Sequence, residues 1–212
     1  MLEVKTFVFN PFQENTYVIY DESRECLIVD AGCNSTEEKQ ELIRFIRDVH
    51  LTPVALINTH CHIDHILGVE YLKVHFSLPF KIHEADKPLL AHAEQQAVIF
   101  DLDFGGSPEA DGFLRDGDIV EAGTVGLKIL HIPGHSPGSI AMYNETGRMV
   151  FVGDVLFRGS IGRTDLPGGD YDTLISGIRE KLLGLPPETI VYSGHGPPTT
   201  IEQEMYNNPF LK

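Results

Sequence analysis

The stretch Asn58 to Gly68 reads NTHCHIDHILG and crowds three histidines and an aspartate between His60 and His65. It follows Val54 to Ile57, an apolar run opened by Pro53, the pattern of a strand buried on both faces. Beyond a strand end, an extended chain turns alternate side chains to one side. His60 and His62 then face one way, and Cys61 and Ile63 the other. Asp64 and His65 fall where a helix, HILGVEYLKVH, is expected to begin, displaced enough to address a second point in space. The spacing therefore predicts two neighbouring metal positions, and imidazole with carboxylate suits zinc, iron or manganese. Taken singly, Asp64 could cap the helix and any one histidine could be a core residue with a satisfied ring. The four together are hard to explain without a metal.

Three further candidates share a pattern: PGH carries His135, VGD carries Asp154 and SGH carries His195. Each follows an apolar, strand-like run, and glycine before the candidate ligand lets the chain turn sharply beside a crowded site. Open sheets place their ligands at such strand ends. Any one of these dipeptides alone would read better as an ordinary turn. The other five histidines (His50, His75, His83, His92, His131) lack this setting and are read as surface or packing residues, His131 being nearest the site in sequence.

Around these residues the chain shows alternating elements. KTFVFN, NTYVIY and CLIVDAG are β-prone runs separated by polar turns, as in a meander. Ser35 with Glu38 fits a capping box, and Leu42, Phe45, Ile46 and Val49 recur at helical spacing behind it. FKIH reads as a strand, Lys87 to Val98 as a helix, and Asp101 to Asp118 as a Gly-, Asp- and Pro-rich loop over one face. Strands return at VGLKILHI, SIAMYN and RMVFVGD, a helix is expected from Tyr171 to Leu183, and TIVYSG is the last strand. This order predicts two similar halves with helices outside. No linker or low-complexity tract interrupts the 212 residues, so one domain over 1–212 is expected.

Composition narrows the function. The apolar fraction of 42% is that of an ordinary globular protein, and no run is long enough for a membrane-spanning helix. A net charge of -15 argues against nucleic acid and against an anionic membrane surface as partner. Three cysteines make no disulfide framework, and the N-terminus lacks the pattern of a signal peptide, so a cytoplasmic setting is expected. The sequence gives no indication of oligomeric state.

HxHxDH after a strand, then isolated His, Asp and His at later strand ends, resembles the metallo-β-lactamase superfamily. IVDAG (Ile28 to Gly32) matches that family's early strand ending in aspartate. The resemblance spans essentially the whole chain. It implies an α+β fold, a four-layer αββα sandwich of two mixed sheets with helices outside. It also implies that His60, His62 and His135 hold one divalent metal, that Asp64, His65 and His195 hold a second, and that Asp154 bridges them. Zinc, iron or manganese would serve as the two ions. Two metals sharing a water lower its pKa from about 15.7 to near neutrality and can hold an oxyanion. Asp64 and Asp154 are then the carboxylates nearest the chemistry. The remaining positions show no dedicated general acid, although a metal-bound water or Asp64 could supply a proton. That favours a thiolate leaving group, with a parent pKa of about 8.5.

Within the superfamily, FQENTYVIYD, HIPGHSPGSIAMY and FVGDVLFRGSIGRTDLPGGD resemble glyoxalase II, the hydroxyacylglutathione hydrolases. Arg163 falls where the longer glyoxalase II enzymes have a lysine that contacts glutathione, and an arginine could grip a substrate carboxylate there. A structural pair with Asp165 or a helix end is the alternative. Only 17 residues follow His195, so the C-terminal helical domain of full-length glyoxalase II is not expected, and the chain resembles the short, single-domain bacterial type. A small acyl thioester such as S-lactoylglutathione is the expected substrate. The main rival is a mono-iron persulfide dioxygenase of the same fold, which also carries GRTD and uses positions matching His60, His135 and Asp154. Acidity speaks against the nuclease branches, and an intact His62 against the flavodiiron branch. A non-catalytic metal module would be expected to have lost a ligand. GHSPG also matches the serine-hydrolase elbow G-x-S-x-G, but Pro137 and Gly138 stand where that motif needs a helix.

Overall fold

A computed structural model describes residues 2–212. The N-terminal sheet takes β1 (Glu3–Phe9), β2 (Glu14–Tyr20), β3 (Glu25–Val29), β4 (Thr52–Ile57), β5 (Phe80–His83) and β6 (Gly112–Leu114), hydrogen-bonded in that order. The first three strands form the expected antiparallel meander, and β3 to β6 run parallel. A second sheet contains β7 (Ile119–Ala122), β8 (Val125–His131), β9 (Ile140–Asn144), β10 (Met149–Gly153), β13 (Ile190–Ser193) and β14 (Thr199–Thr200), with β10 and β13 parallel. A small hairpin, β11 (Leu156–Phe157) and β12 (Ser160–Ile161), lies between β10 and β13 in sequence.

Strand periodicity explains the layering. Tyr17, Ile19, Leu27 and Val29 turn toward Leu127, Ile129, Ile140, Met142 and Phe151 and fill the space between the sheets. Their neighbours Val18, Tyr20, Cys26 and Ile28 face the other way. There they meet α1 (Thr36–Asp48), α3 (Val69–Phe76) and α5 (Ala93–Ile99) through Leu42, Ile46, Leu72, Ala93 and Ala97. On the far side, Val150 and Val152 pack against α6 (Tyr171–Gly177), its π-helical continuation Ile178–Leu182, and α7 (Ile201–Asn207). The result is the α+β, αββα sandwich with two mixed sheets.

Several elements differ from the sequence reading. HILGVEYLKVH is two helices, α2 (Ile63–Ile66) and α3, because Gly68 passes against the Cys33 carbonyl, where a Cβ would stand 2.7 Å away. Lys87 to Val98 likewise breaks at His92 into α4 (Lys87–Ala91) and α5. The segment 101–118 is not all loop: its residues 112–114 add β6 to the sheet, while Leu102 and Phe104 pack on the helical layer. Strand β7, the hairpin β11–β12 and helix α7 carry too few alternating residues to stand out in sequence.

Ser35 caps α1 as expected, and the box reaches further than the helix. Ser35 Oγ accepts from Glu38 N, while Glu38 accepts from the backbone N–H groups of Ser35, Asn34 and Asn10. Asn10 in turn donates its side-chain amide to the carbonyls of Gly32 and Asp64. The start of α1 thereby braces the short helix that carries Asp64. Ser35→Ala is expected to cost about 1 kcal/mol in denaturant unfolding. Glu38→Ala, which strands three donors, is expected to cost more, about 2 kcal/mol; the reverse order would show that the box acts on the helix alone.

Candidate metal centre

The seven sequence candidates converge at one end of the sandwich. His60 and His62 follow β4, Asp64 and His65 belong to α2, and His135 lies in the turn before β9. Asp154 follows β10 and His195 follows β13; the parallel pairing of these strands sets Gly153 opposite Ser193 and brings both ligand types together. The strand-parity expectation holds: the rings of His60 and His62 are 4.8 Å apart, while Cys61 and Ile63 are buried against the helical layer.

Donor atoms of His60, His62 and His135 lie within 4.8 Å of one another, as do those of Asp64, His65 and His195, and those of His60, His65 and Asp154. Nε2 of His135 is 2.9 Å from His62 Nδ1 and 3.2 Å from His60 Nε2. His195 Nε2 is 3.1 Å from Asp64 Oδ2. Asp154 sits between the two groups, its Oδ2 3.7 Å from His135 Nε2 and 3.6 Å from His195 Nε2, its Oδ1 3.5 Å from His65 Nε2. Asp64 does not cap α2; His62 occupies the cap position without a side-chain bond.

The protonation states follow from burial and neighbours. Burial, then the facing imidazoles, hold His60 well below the ordinary histidine range and His62 down at about 4, so both are neutral and offer lone pairs. Burial also opposes charge on His65, but Asp64 and Asp154 outweigh it and push that ring well above the usual value. Against the same burial, the imidazoles beside Asp154 and Asp64, His65 foremost, keep both carboxylates below their ordinary range.

A divalent cation fits this arrangement on the atoms themselves. His65 Nε2 and Asp154 Oδ1 are buried and have no hydrogen-bond partner. Three imidazole nitrogens pointing at one place share too few protons to satisfy one another. Away from the centre, His60 Nδ1 meets Thr59 Oγ1 at 3.2 Å, His135 Nδ1 meets the Arg163 carbonyl at 2.8 Å, and His195 Nδ1 meets the Phe12 carbonyl at 3.1 Å, while His65 Nδ1 faces Asp30 Oδ2 at 3.2 Å as an ion pair without hydrogen-bond geometry. Anchoring the far nitrogen while the near one stays open is the arrangement of metal-ligating histidines.

Some contributors were not foreseen. Asp30, known from sequence only as a strand-end match, accepts from Thr59 N and Thr59 Oγ1, each at 2.6 Å, as well as facing His65. Glu14 is wholly buried behind His65, and burial raises its pKa well above the carboxylate range. Asn15 Nδ2 donates to the carbonyls of Ser193 and Gly196, pinning the His195 turn to the first sheet. These contacts join residues from 29 to 181 positions apart, and no local pattern announces them. Ser136 of the elbow-like motif is buried, bonded to Asp86, and followed by a strand. Arg163 makes two 2.8 Å bonds to Asp165 at the surface, the structural alternative foreseen for it. The five dismissed histidines join none of the donor groups among the described residues; His131 stacks on His83 and meets the Pro137 carbonyl, supporting the His135 turn indirectly.

Gly194 lies directly against the donor atoms. A Cβ there would collide with Asp154 Oδ1 and stand 2.7 Å from His65 Cε1. Gly194→Ala is expected to leave the circular dichroism unchanged but to lower the metal content per chain, read by elemental analysis. Full metal content would show that Asp154 can move without cost.

Comparison with known proteins agrees with this geometry. The sequence matches the metallo-beta-lactamase superfamily over residues 9–195. It is 40% identical to hydroxyacylglutathione hydrolase GloC of Haemophilus influenzae, covering 99% of this chain and 98% of that protein. Among solved structures it is similar to the BLEG-1 B3 metallo-beta-lactamase (TM-score 0.90, 39% identity, 99% of this chain and 100% of that one). It is equally similar to TTHA1623 in a di-iron-bound form (TM-score 0.90, 38% identity, 98% and 100%). No helix among the described residues is long and apolar enough to cross a membrane. Since the match runs through both sheets and takes in all seven converging side chains, the chain belongs to the metallo-beta-lactamase superfamily.

Proposed function

We propose that this metal-dependent hydrolase cleaves a small acyl thioester, with S-lactoylglutathione as the leading substrate. His60, His62 and His135 hold one metal in this reading, Asp64, His65 and His195 hold the other, and Asp154 is shared. Zinc, iron or manganese suits the imidazole and carboxylate donors. When bound, such a pair supplies a hydroxide nucleophile at neutral pH and stabilises the oxyanion formed on attack at a carbonyl.

The observation that carries the thioester reading is the engagement of every acid near the centre. Asp64 and Asp154 are held ionised by their imidazole neighbours. Glu14, the acid with a raised pKa beside His65, is wholly buried and has no surface to offer a leaving group. With no poised proton donor, an amide nitrogen would leave poorly, whereas a thiolate with a parent pKa of about 8.5 departs unprotonated. Asp64, its Oδ2 3.1 Å from His195 Nε2, is the ionised carboxylate assigned to accept a proton during turnover rather than to give one to the leaving group. Asp154 keeps the two halves of the donor set in register. The relative named as a hydroxyacylglutathione hydrolase supports glutathione as the thiol. Arg163 is assigned to a substrate carboxylate: its pair with Asp165 is solvent-exposed, and exposed pairs open readily.

Protein purified with its native metals should hydrolyse S-D-lactoylglutathione with kcat/KM above about 10⁴ M⁻¹s⁻¹. No turnover, with oxygen consumed in the presence of a persulfide, would replace the hydrolase by the dioxygenase reading. Asp154→Ala and His62→Ala should each abolish metal loading and turnover together; a fully active variant at either position would remove the two-metal assignment.

A further inference from the structure

Asp86 stands outside the donor set, yet it holds both segments that carry the three-imidazole group. It ends the short 3-10 turn Glu84–Asp86 after β5 and is wholly buried. Its Oδ2 accepts from Cys61 N at 2.9 Å and from Ser136 Oγ at 2.9 Å, and its Oδ1 accepts from Gly138 N at 2.6 Å. Cys61 lies between His60 and His62; Ser136 and Gly138 follow His135. The first segment hangs from the N-terminal sheet and the second leads into the other sheet. Gly138 permits the approach, since a Cβ there would stand 2.7 Å from Asp86 Cγ.

Burying a carboxylate is costly unless its oxygens are satisfied, and all three donors here come from the two ligand segments. None of them is a metal-facing nitrogen. The other donor group has contacts that do not involve Asp86: Asp30 faces His65 Nδ1 and Asn15 holds the carbonyls around His195, while Asn58 Nδ2 ties the His65 carbonyl to that of His60. From this division we infer that Asp86 is a positioning residue that sets the spacing of His60 and His62 against His135, and thereby the metal affinity of that group alone. The inference rests on the ligand assignment proposed above.

Asp86→Asn keeps the volume but turns one acceptor oxygen into an amide nitrogen, so Cys61 N or Gly138 N loses its acceptor. Metal-free wild type, Asp86→Asn, His62→Ala and the double variant would be titrated with zinc against a chromophoric chelator. Wild type should bind two ions. Asp86→Asn should weaken one of them by about 10- to 100-fold, the range for removed outer contacts, and leave the other within about twofold. In the His62→Ala background, Asp86→Asn should change nothing further, because the affected site is already gone. Loss of thermal stability with both affinities unchanged would make Asp86 a plain structural staple and overturn the inference. Equal weakening of both ions would overturn it too. If Asp86→Asn does not fold, Ser136→Ala decides: a smaller loss at one ion supports the role, and wild-type affinities refute it. A wild type that binds no zinc at all would instead refute the ligand assignment.

Discussion

The nitrogens of His60, His62 and His135 converge to within 2.9 and 3.2 Å, beside two carboxylates that burial alone would protonate. Lone pairs brought that close repel unless a cation or a proton lies between them. Beside them, the Asp64 and Asp154 carboxylates raise the pKa of His65 although that ring is wholly buried. The centre is thus an unfavourable local arrangement, and the remainder of the fold has to hold it in place.

It does so by crossing between layers. Donors come from the N-terminal sheet, from α2 and from the second sheet, and each is tied by contacts from another part of the chain. Asp30 holds Thr59 and faces His65; Asn10, itself held by Glu38 of α1, fixes the Asp64 carbonyl. Asn15 and the Tyr17 hydroxyl bind the carbonyls around His195 across the sandwich. Glycine appears where these contacts leave no space for a side chain, as at Gly194 against Asp154. The close-packed apolar layer between the sheets gives these crossings a rigid base, because neither sheet can slide without opening the packing of Tyr17, Phe151 and Leu127.

The same rigidity shapes the chemistry that the site can support. With Asp64 and Asp154 ionised and Glu14 enclosed, the chain contributes orientation and fixed negative charge rather than a mobile proton. In the reading proposed above, such a centre is matched to a substrate whose leaving group is stable as an anion. Arg163 has two parts: its guanidinium is exposed, while its carbonyl, bonded to His135 Nδ1, belongs to the fixed framework.

Much of this was legible in the amino-acid order. The cluster from His60 to His65 follows strand parity, the three glycine-preceded ligands mark strand ends, and the capping box of α1 is written in Ser35 and Glu38. These features are local, governed by alternation along a strand or by one helical turn, so the sequence by itself determined the donor types and the elements bearing them. It did not reveal the break at Gly68, the pairing of β6, or the duties of Glu14, Asn15 and Asp86, because each depends on a distant segment arriving within van der Waals or hydrogen-bond distance. It left two roles open for Arg163, whose guanidinium lies 2.8 Å from Asp165 at the surface. Which donors share a point in space, and which carboxylate is buried between them, was decided only by the packing of two sheets, since burial and convergence are properties of the folded chain and not of any stretch within it.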